Sequence, residues 1–185
     1  MKKFPVKQVV AVGIGAALFF VVGRFVAIPS PVPNTNITIQ YGILGFLACV
    51  FGPVVGILAG LIGHALIDAS YGYGIWWSWV IASGIFGLLV GFGCKKVSSV
   101  IDDGVFSWKE ILTFNVVQLI AHVVCWGVIA PVLDILIYQE PIEKLFAQGL
   151  VAGIGNFVTT AIVGTLLLLA YAKAKPRKGS LKEEA

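Results

Sequence analysis

From residue 41 to residue 70 the chain runs without a lysine or arginine, and Asp68 is its only carboxylate there. A single helix of that length would measure about 45 Å. That is too long for one untilted passage through roughly 30 Å of hydrocarbon. The pair Gly52-Pro53 offers the place to break it. We read two helices, 41–51 and 53–70, the first short for a full span and either tilted or shielded by its neighbours.

The rest of the chain repeats the pattern. Apolar segments at 7–27, 75–94, 108–130 and 148–172 bring the count to six transmembrane helices. Pro29, Pro31 and Pro33 stop the first, and Pro131 is expected to stop the fifth. Of 185 residues, 58% are hydrophobic and 12% charged, where a soluble domain carries about 25% charged. A soluble bundle would have to hide this surface from water; a bilayer removes the need. The fold class is therefore all-α, a polytopic membrane protein in one domain over residues 1–185. The membrane region covers about 7–172, and a basic tail follows at 173–185. No small-residue cleavage site of good quality follows the first segment, which is read as a retained helix.

Charge orients the bundle. Eleven of the 13 basic residues fall in three stretches. These hold Lys2, Lys3 and Lys7; Lys95, Lys96 and Lys109; and Lys173, Lys175, Arg177, Lys178 and Lys182. Arg24 and Lys144 are the exceptions. Six crossings put all three stretches on one face, and the positive-inside rule makes it cytoplasmic. Both termini are then cytoplasmic and the location is the cell membrane, a prokaryotic plasma membrane. The connections 28–40, 71–74 and 131–147 face outward, the last with Asp134, Glu140 and Glu143. The formal net charge of +4 follows from anchoring beside anionic lipid and calls for no nucleic acid.

Ionisable and amide side chains inside spans are costly in lipid and turn inward. Gly52, Gly56, Gly60, His64 and Asp68 recur every four residues on one helix face. The glycines permit close helix approach; His64 and Asp68 form either an internal clamp or part of a ligand site. His122 and Trp126 pair the same way on the fifth helix, with Gln118 one turn below, and Asn156 projects from the sixth. Tyr71, Trp76 and Trp77 belong to an aromatic cluster suited to the headgroup level or to stacking on a planar ligand. Asn34 and Asn36 sit on the stiff proline loop, a candidate lid. Together these ten residues outline an outward-facing cavity between helices. Ala11/Gly15 and Gly13/Ala17 are small-xxx-small pairs offering a smooth face to another helix.

No HExxH, nucleophile elbow or P-loop occurs, so the chain is read as a non-enzyme without an ATP site or intrinsic cofactor. Cys49, Cys94 and Cys125 lack CxxC spacing, so no metal site is assigned. The residues alone leave a binding subunit, a small carrier and a structural membrane protein open.

The stretches GIGAALFFVVGRFVAIPSPVPNTNI, FGPVVGILAGLIGHALIDA and WWSWVIASGIFG settle on one resemblance. Across about residues 4–172 the chain resembles the substrate-specific (S) components of energy-coupling factor (ECF) vitamin transporters. The resemblance implies six helices, cytoplasmic termini and capture of a micronutrient from outside under the loop after helix one. It further implies association with a membrane coupling (T) protein and two ATPase subunits that supply the ATP hydrolysis. In such families an alanine-xxx-alanine motif in helix one docks the coupling protein. Here each matching pair, Ala11/Gly15 or Gly13/Ala17, contains a glycine. Cobalamin is the vitamin expected first, since a glycine-rich third helix with Gly72 and Gly74 suits a large cavity. Riboflavin, stacked on tryptophans in a narrower slot, is the alternative.

Overall fold

Residues 5–175 are described by a computed structural model. Helix α1 (Val6–Phe25) leads into a small antiparallel ladder, β1 (Ile28–Pro29) with β2 (Asn36–Ile37). Ile28 pairs with Ile37 and Pro29 with Asn36. The proline loop is thus an ordered hairpin, as three fixed φ angles require. Helices α2 (Gln40–Phe51), α3 (Pro53–Tyr71), α4 (Trp77–Gly93) and α5 (Lys95–Ile101) follow. The remainder forms two long rods. In the first, α6 (Trp108–Val124) and α7 (Ala130–Tyr138) join through a π-turn at Cys125–Ile129. In the second, α8 (Ile142–Thr159) and α9 (Thr165–Ala174) join through a π-turn at Thr160–Gly164.

Four helical stretches are long and apolar enough to cross a membrane: Val6–Phe25, Pro53–Tyr71, Trp108–Tyr138 and Ile142–Ala174. A fifth is added if α4 and α5, bent by 64°, count as one broken span. The sixth expected crossing is α2, whose 12 residues reach only about 18 Å. Its length is explained by its position: nine of the 12 are buried, so neighbouring helices rather than lipid surround it.

Contacts between helices give their directions. Gly56 faces Ala48 and Gly60 faces Leu44, so α2 and α3 run antiparallel about Gly52. That glycine has φ +93°, a left-handed conformation that glycine reaches at no steric cost. Gly15 meets Ala59 and Gly63 meets Phe19, so α1 and α3 run parallel. Gly60 against Ser83 and Gly91 against Pro53 make α3 and α4 antiparallel. Gly93 meets Val117 and Phe86 meets His122, reversing direction again into α6. Gln118 donates to the Phe157 carbonyl, and Asn115 donates to Thr165 Oγ1, which reverses it once more. Six helical segments among the described residues therefore alternate in direction.

One end of this bundle is basic. Lys7 lies 5.4 Å above the Phe51 ring, Lys95 lies 4.7 Å above Phe92, and Lys175 pairs with Asp102 at 3.0 Å. These are snorkelling geometries, apolar stem inward and ammonium at the interface. Lys2, Lys3 and residues 176–185, counted above for charge, lie outside the described residues.

Helices are held by contact area, because lipid is as apolar as leucine and supplies no hydrophobic drive between spans. The closest seam is α3 on α4, where Gly56 and Gly87 set backbone against backbone. Phe19, Phe86, Phe114, Leu44 and Leu168 fill the interior and are fully buried.

Two expected boundaries move. Pro131 does not end the fifth helix, which continues to Tyr138. The wide π-turn immediately before it relieves the clash that a proline ring makes with the carbonyl four residues earlier. The last helix begins at Ile142 rather than near residue 148, so the expected outer loop 131–147 shrinks to residues 139–141. Gln139, at φ +56°, makes that turn. Lys144 pairs with Glu140 at 2.8 Å.

Candidate functional site

Two adjoining cavities open at the end opposite the basic one. The deeper, about 110 Å³, has its floor at the first turn of α2, with Thr38, Gln40 and Tyr41, and is also walled by Gly23, Ile67, Ala152 and Asn156. The outer, about 400 Å³, is lined by Asn34, His64, Asp68, Tyr73, Trp76, Trp79, Asp134, Lys144 and Gln148. Asn34, His64, Asp68, Tyr73 and Trp79 border both. The larger volume lies within the ~300–1,000 Å³ usual for small-molecule sites.

The roof is the hairpin. Gln148 Nε2 donates to the Pro33 carbonyl at 2.9 Å, and Thr159 Oγ1 donates to the Thr38 carbonyl at 2.8 Å. An added Cβ on Gly155 would press on Ile37. These contacts lean residues 28–40 onto α8 and across the opening. Asn34, at φ +58°, turns its tip, a conformation asparagine tolerates better than most residues.

A buried carboxylate organises the aromatic wall. Asp134, 1% exposed, accepts the indole N–H of Trp76 at 2.6 Å and of Trp79 at 2.7 Å. The Ser78 hydroxyl donates to it as well. All three partners are donors, and the carboxyl oxygens accept from each. Trp76 is held at a second point, where its backbone N–H donates to Asp68 Oδ2 at 2.9 Å. Its ring stacks on Tyr138, centroids 4.4 Å apart. Trp79 lies nearly parallel to Trp126, 5.6 Å away and tilted 17°. Partial burial, with Asp68 adding to it, pushes the Tyr73 phenol above its ordinary range, so Tyr73 offers the cavity a neutral hydroxyl.

Below this wall His64 Nδ1 lies 2.6 Å from Ser83 Oγ, and the Tyr41 hydroxyl lies 2.9 Å from the same oxygen. The one-turn contact between His64 Nε2 and Asp68 Oδ1 is 3.7 Å, outside hydrogen-bond range. Tyr41 makes edge contacts with Phe19, Phe86, His122 and Trp126, so one phenol ring supports the cavity floor from four sides.

Three side-chain oxygens at the deep cavity have no hydrogen-bond partner: Thr38 Oγ1, Gln40 Oε1 and Asn156 Oδ1. Each residue is more than nine-tenths buried. A buried polar atom left unpaired costs about 1–3 kcal/mol, so the deep cavity is polar at a cost to stability.

Of the ten site residues expected from the sequence, Asn34, Asn36, His64, Asp68, Tyr71, Trp126 and Asn156 line the deep cavity. Trp76 lines the outer one. Trp77 and His122 border neither. Trp77 is 50% exposed on the bundle surface. His122 is closed into a chain of its own, accepting from Trp126 Nε1 at 2.7 Å and lying 3.2 Å from Thr160 Oγ1. Tyr73 and Trp79 belong to the aromatic segment 71–79 that the sequence already pointed to. Sequence reasoning missed Gln40, Tyr41, Asp134 and Gln148 as cavity residues. Asp134 carried a signal, an acid beside a span; Gln40 sits where two segments meet and carried none.

The helix-one pairs separate. Ala11 and Gly15 are buried, Gly15 against Leu47 and Ala59. Gly13 and Ala17 are exposed, and nothing lies within 4 Å of a Cβ built on Gly13. The glycines of α3 are occupied by α1, α2 and α4, so they draw helices together rather than widen the cavity.

Residues 3–173 match the family described as "ECF-type riboflavin transporter, S component". A protein named "UPF0397 protein" in Streptococcus pneumoniae strain Taiwan19F-14 is 59% identical over 182 residues, covering 98% of each chain. UPF0397 proteins of strains ATCC BAA-255 / R6 and ATCC BAA-334 / TIGR4 are similar to the same extent, 59% over 182 residues.

Proposed function

The chain belongs to the family of ECF-type riboflavin transporter S components, and on that premise we propose that it captures a flat heteroaromatic vitamin of riboflavin's kind from outside the cell. It is an integral membrane protein and a transport subunit. The observation that carries the reading is the cavity of about 400 Å³ walled by Trp76, Trp79, Tyr73 and His64, above a floor of unpartnered oxygens. Aromatic faces suit the rings of such a ligand, and the oxygens suit N–H or O–H groups along its edge. Cobalamin, with its macrocycle and nucleotide arm, asks for a several-fold larger space, and the α3 glycines that favoured it are taken up by helix contacts.

Six alternating segments carry Val6 and Ala174, where the first and last helices begin and end, at the basic end, and on the positive-inside rule we assign that end to the cytoplasm. The cavity then opens outward under the 28–40 hairpin. Membership of the family implies work with a membrane coupling protein and ATPase subunits, where ATP is hydrolysed. The exposed strip of α1 around Gly13 and Ala17 is the docking face that fits this, since small residues let a partner helix approach closely.

The test is mass spectrometry of small molecules retained by the purified chain, followed by calorimetric titration with riboflavin and with cobalamin. Tight riboflavin binding without any ATPase supports the reading. Cobalamin binding with riboflavin silent replaces the vitamin. Uptake by the chain alone in sealed vesicles, steady and without ATP, makes it a self-contained carrier.

A further inference from the structure

We propose that this cavity discriminates by charge, accepting a neutral vitamin and rejecting its phosphate ester; the inference rests on the vitamin-binding reading above. Around the outer cavity stand two carboxylates, Asp68 and Asp134, and one cation, Lys144. Lys144 is already engaged by Glu140 Oε2 at 2.8 Å. Among the described residues no other lysine or arginine lines either cavity; Arg24 lies just outside, its guanidinium 4.2 Å over the Tyr71 ring and its Nε donating to Ser70 Oγ.

The hydrogen bonds define what these groups have left to offer. Asp134 accepts from Trp76, Ser78 and Trp79, so three of its roughly four acceptor positions are taken. Asp68 accepts from the Trp76 backbone. Deeper in, Gln40 and Asn156 add amide oxygens without partners, beside the unpaired Thr38 hydroxyl. A phosphate brings further oxygens and close to two negative charges. It would meet oxygens at the floor, carboxylates at the rim and a lysine already paired, inside walls of low dielectric where like charges repel more strongly than in water. The first turn of α2, which no side chain caps, presents a partial positive charge of about half a unit at the floor, less than the two carboxylates at the rim. A hydroxyl-bearing vitamin meets the same oxygens as a donor and is welcome at every one of them.

The experiment titrates three vitamin forms without net charge, each beside its ester: riboflavin and riboflavin 5′-phosphate, pyridoxine and pyridoxine 5′-phosphate, pyridoxal and pyridoxal 5′-phosphate. At low salt and neutral pH, whichever parent binds should bind roughly tenfold or more tightly than its ester, about 1.4 kcal/mol. Raising salt should narrow the gap by screening. Glu140→Gln, a change at the turn outside both cavities, should narrow it further, because it frees Lys144 and removes one negative charge. An ester within threefold of its parent overturns the proposal, and so does a gap indifferent to both salt and Glu140→Gln. If riboflavin is silent while another parent binds and its ester is rejected, the flavin reading fails and the charge rule stands. Silence from all six compounds overturns both.

Discussion

Trp79 and Asp134 lie 55 positions apart in sequence and are joined by one hydrogen bond, indole N–H to Oδ2 at 2.7 Å. The same carboxylate takes Trp76 and Ser78, so α7 sets the angle of the aromatic wall carried by α4. Asp134→Ala leaves three donors without their acceptor, and each unmade buried bond costs about 1–3 kcal/mol. Riboflavin affinity should fall at least roughly tenfold. Asp134→Asn keeps one oxygen and should fall less. Titration beside the intrinsic tryptophan emission of the unliganded protein checks both, since a shifted wall changes the emission before any ligand is added.

Gly23→Ala tests the floor. A Cβ at Gly23 would overlap Gln40 Oε1 and Ile67 Cδ1. Alanine is the better helix former by about 1 kcal/mol, so α1 itself should tolerate the change. The expected outcome is weaker vitamin binding, roughly 5- to 150-fold for 1–3 kcal/mol, with the melting temperature of the apo protein little altered. A melting temperature that collapses together with binding would make Gly23 a packing residue only.

These two sites mark where sequence reading stops. The helices were legible because apolar length and basic flanks are imposed by bilayer thickness and interface charge, which act on every span alike. The place of His64, Asp68, Asn36 and Asn156 at the cavity was legible because a polar group in lipid has few places to go. Gln40 was not, since nothing local says that a glycine on another helix makes room for it. Pro131 misled because a π-turn at Cys125–Ile129 accommodates a ring that a regular helix excludes. His122 misled because its polarity is consumed by Trp126 and Thr160 rather than by a ligand.

Gly87→Ala should destabilise the bundle. Its Cβ would press on the Gly56 carbonyl, a backbone that cannot swing aside as a side chain can. Overpacking of this kind costs about 1–3 kcal/mol. Gly127→Ala is the control, because nothing lies within 4 Å of a Cβ there. Thermal melts in detergent should show a lowered midpoint for the first and an unchanged or slightly raised one for the second; equal midpoints would refute the close seam.

The basic end should loosen in acid. The Tyr171 hydroxyl, donating at 2.8 Å, and Lys175 hold the Asp102 carboxyl below its ordinary range. A depressed carboxylate contributes stability above its unfolded value of about 3.9, and loses it as pH falls through the lower folded value. The tie is therefore whole at neutral pH and fades below about pH 4. Asp102 is 55% exposed, so the effect is small and salt-sensitive. Melting midpoints from pH 7 down to 3 should fall less for Asp102→Asn than for the parent.

Orientation is read by labelling. Ser99 is exposed near the basic end and Glu143 near the opposite one, while Cys49, Cys94 and Cys125 are buried and should stay silent. In intact cells an impermeant maleimide should mark Glu143→Cys and spare Ser99→Cys until the membrane is opened. The reverse pattern would invert the protein.

The brevity of α2 has a consequence for work done during transport. Its far end, Phe51, lies at the interface under Lys7, and its 12 residues rise about 18 Å through a slab of roughly 30 Å. The cavity floor at Gln40 is therefore sunk by roughly two-fifths of the hydrocarbon thickness. On the proposed reading, a vitamin resting there has left bulk water and completed part of its journey before any ATP is spent. What would remain for the energised complex is the longer leg, about 18 Å, and the opening of a plug whose centre is the Tyr41 ring.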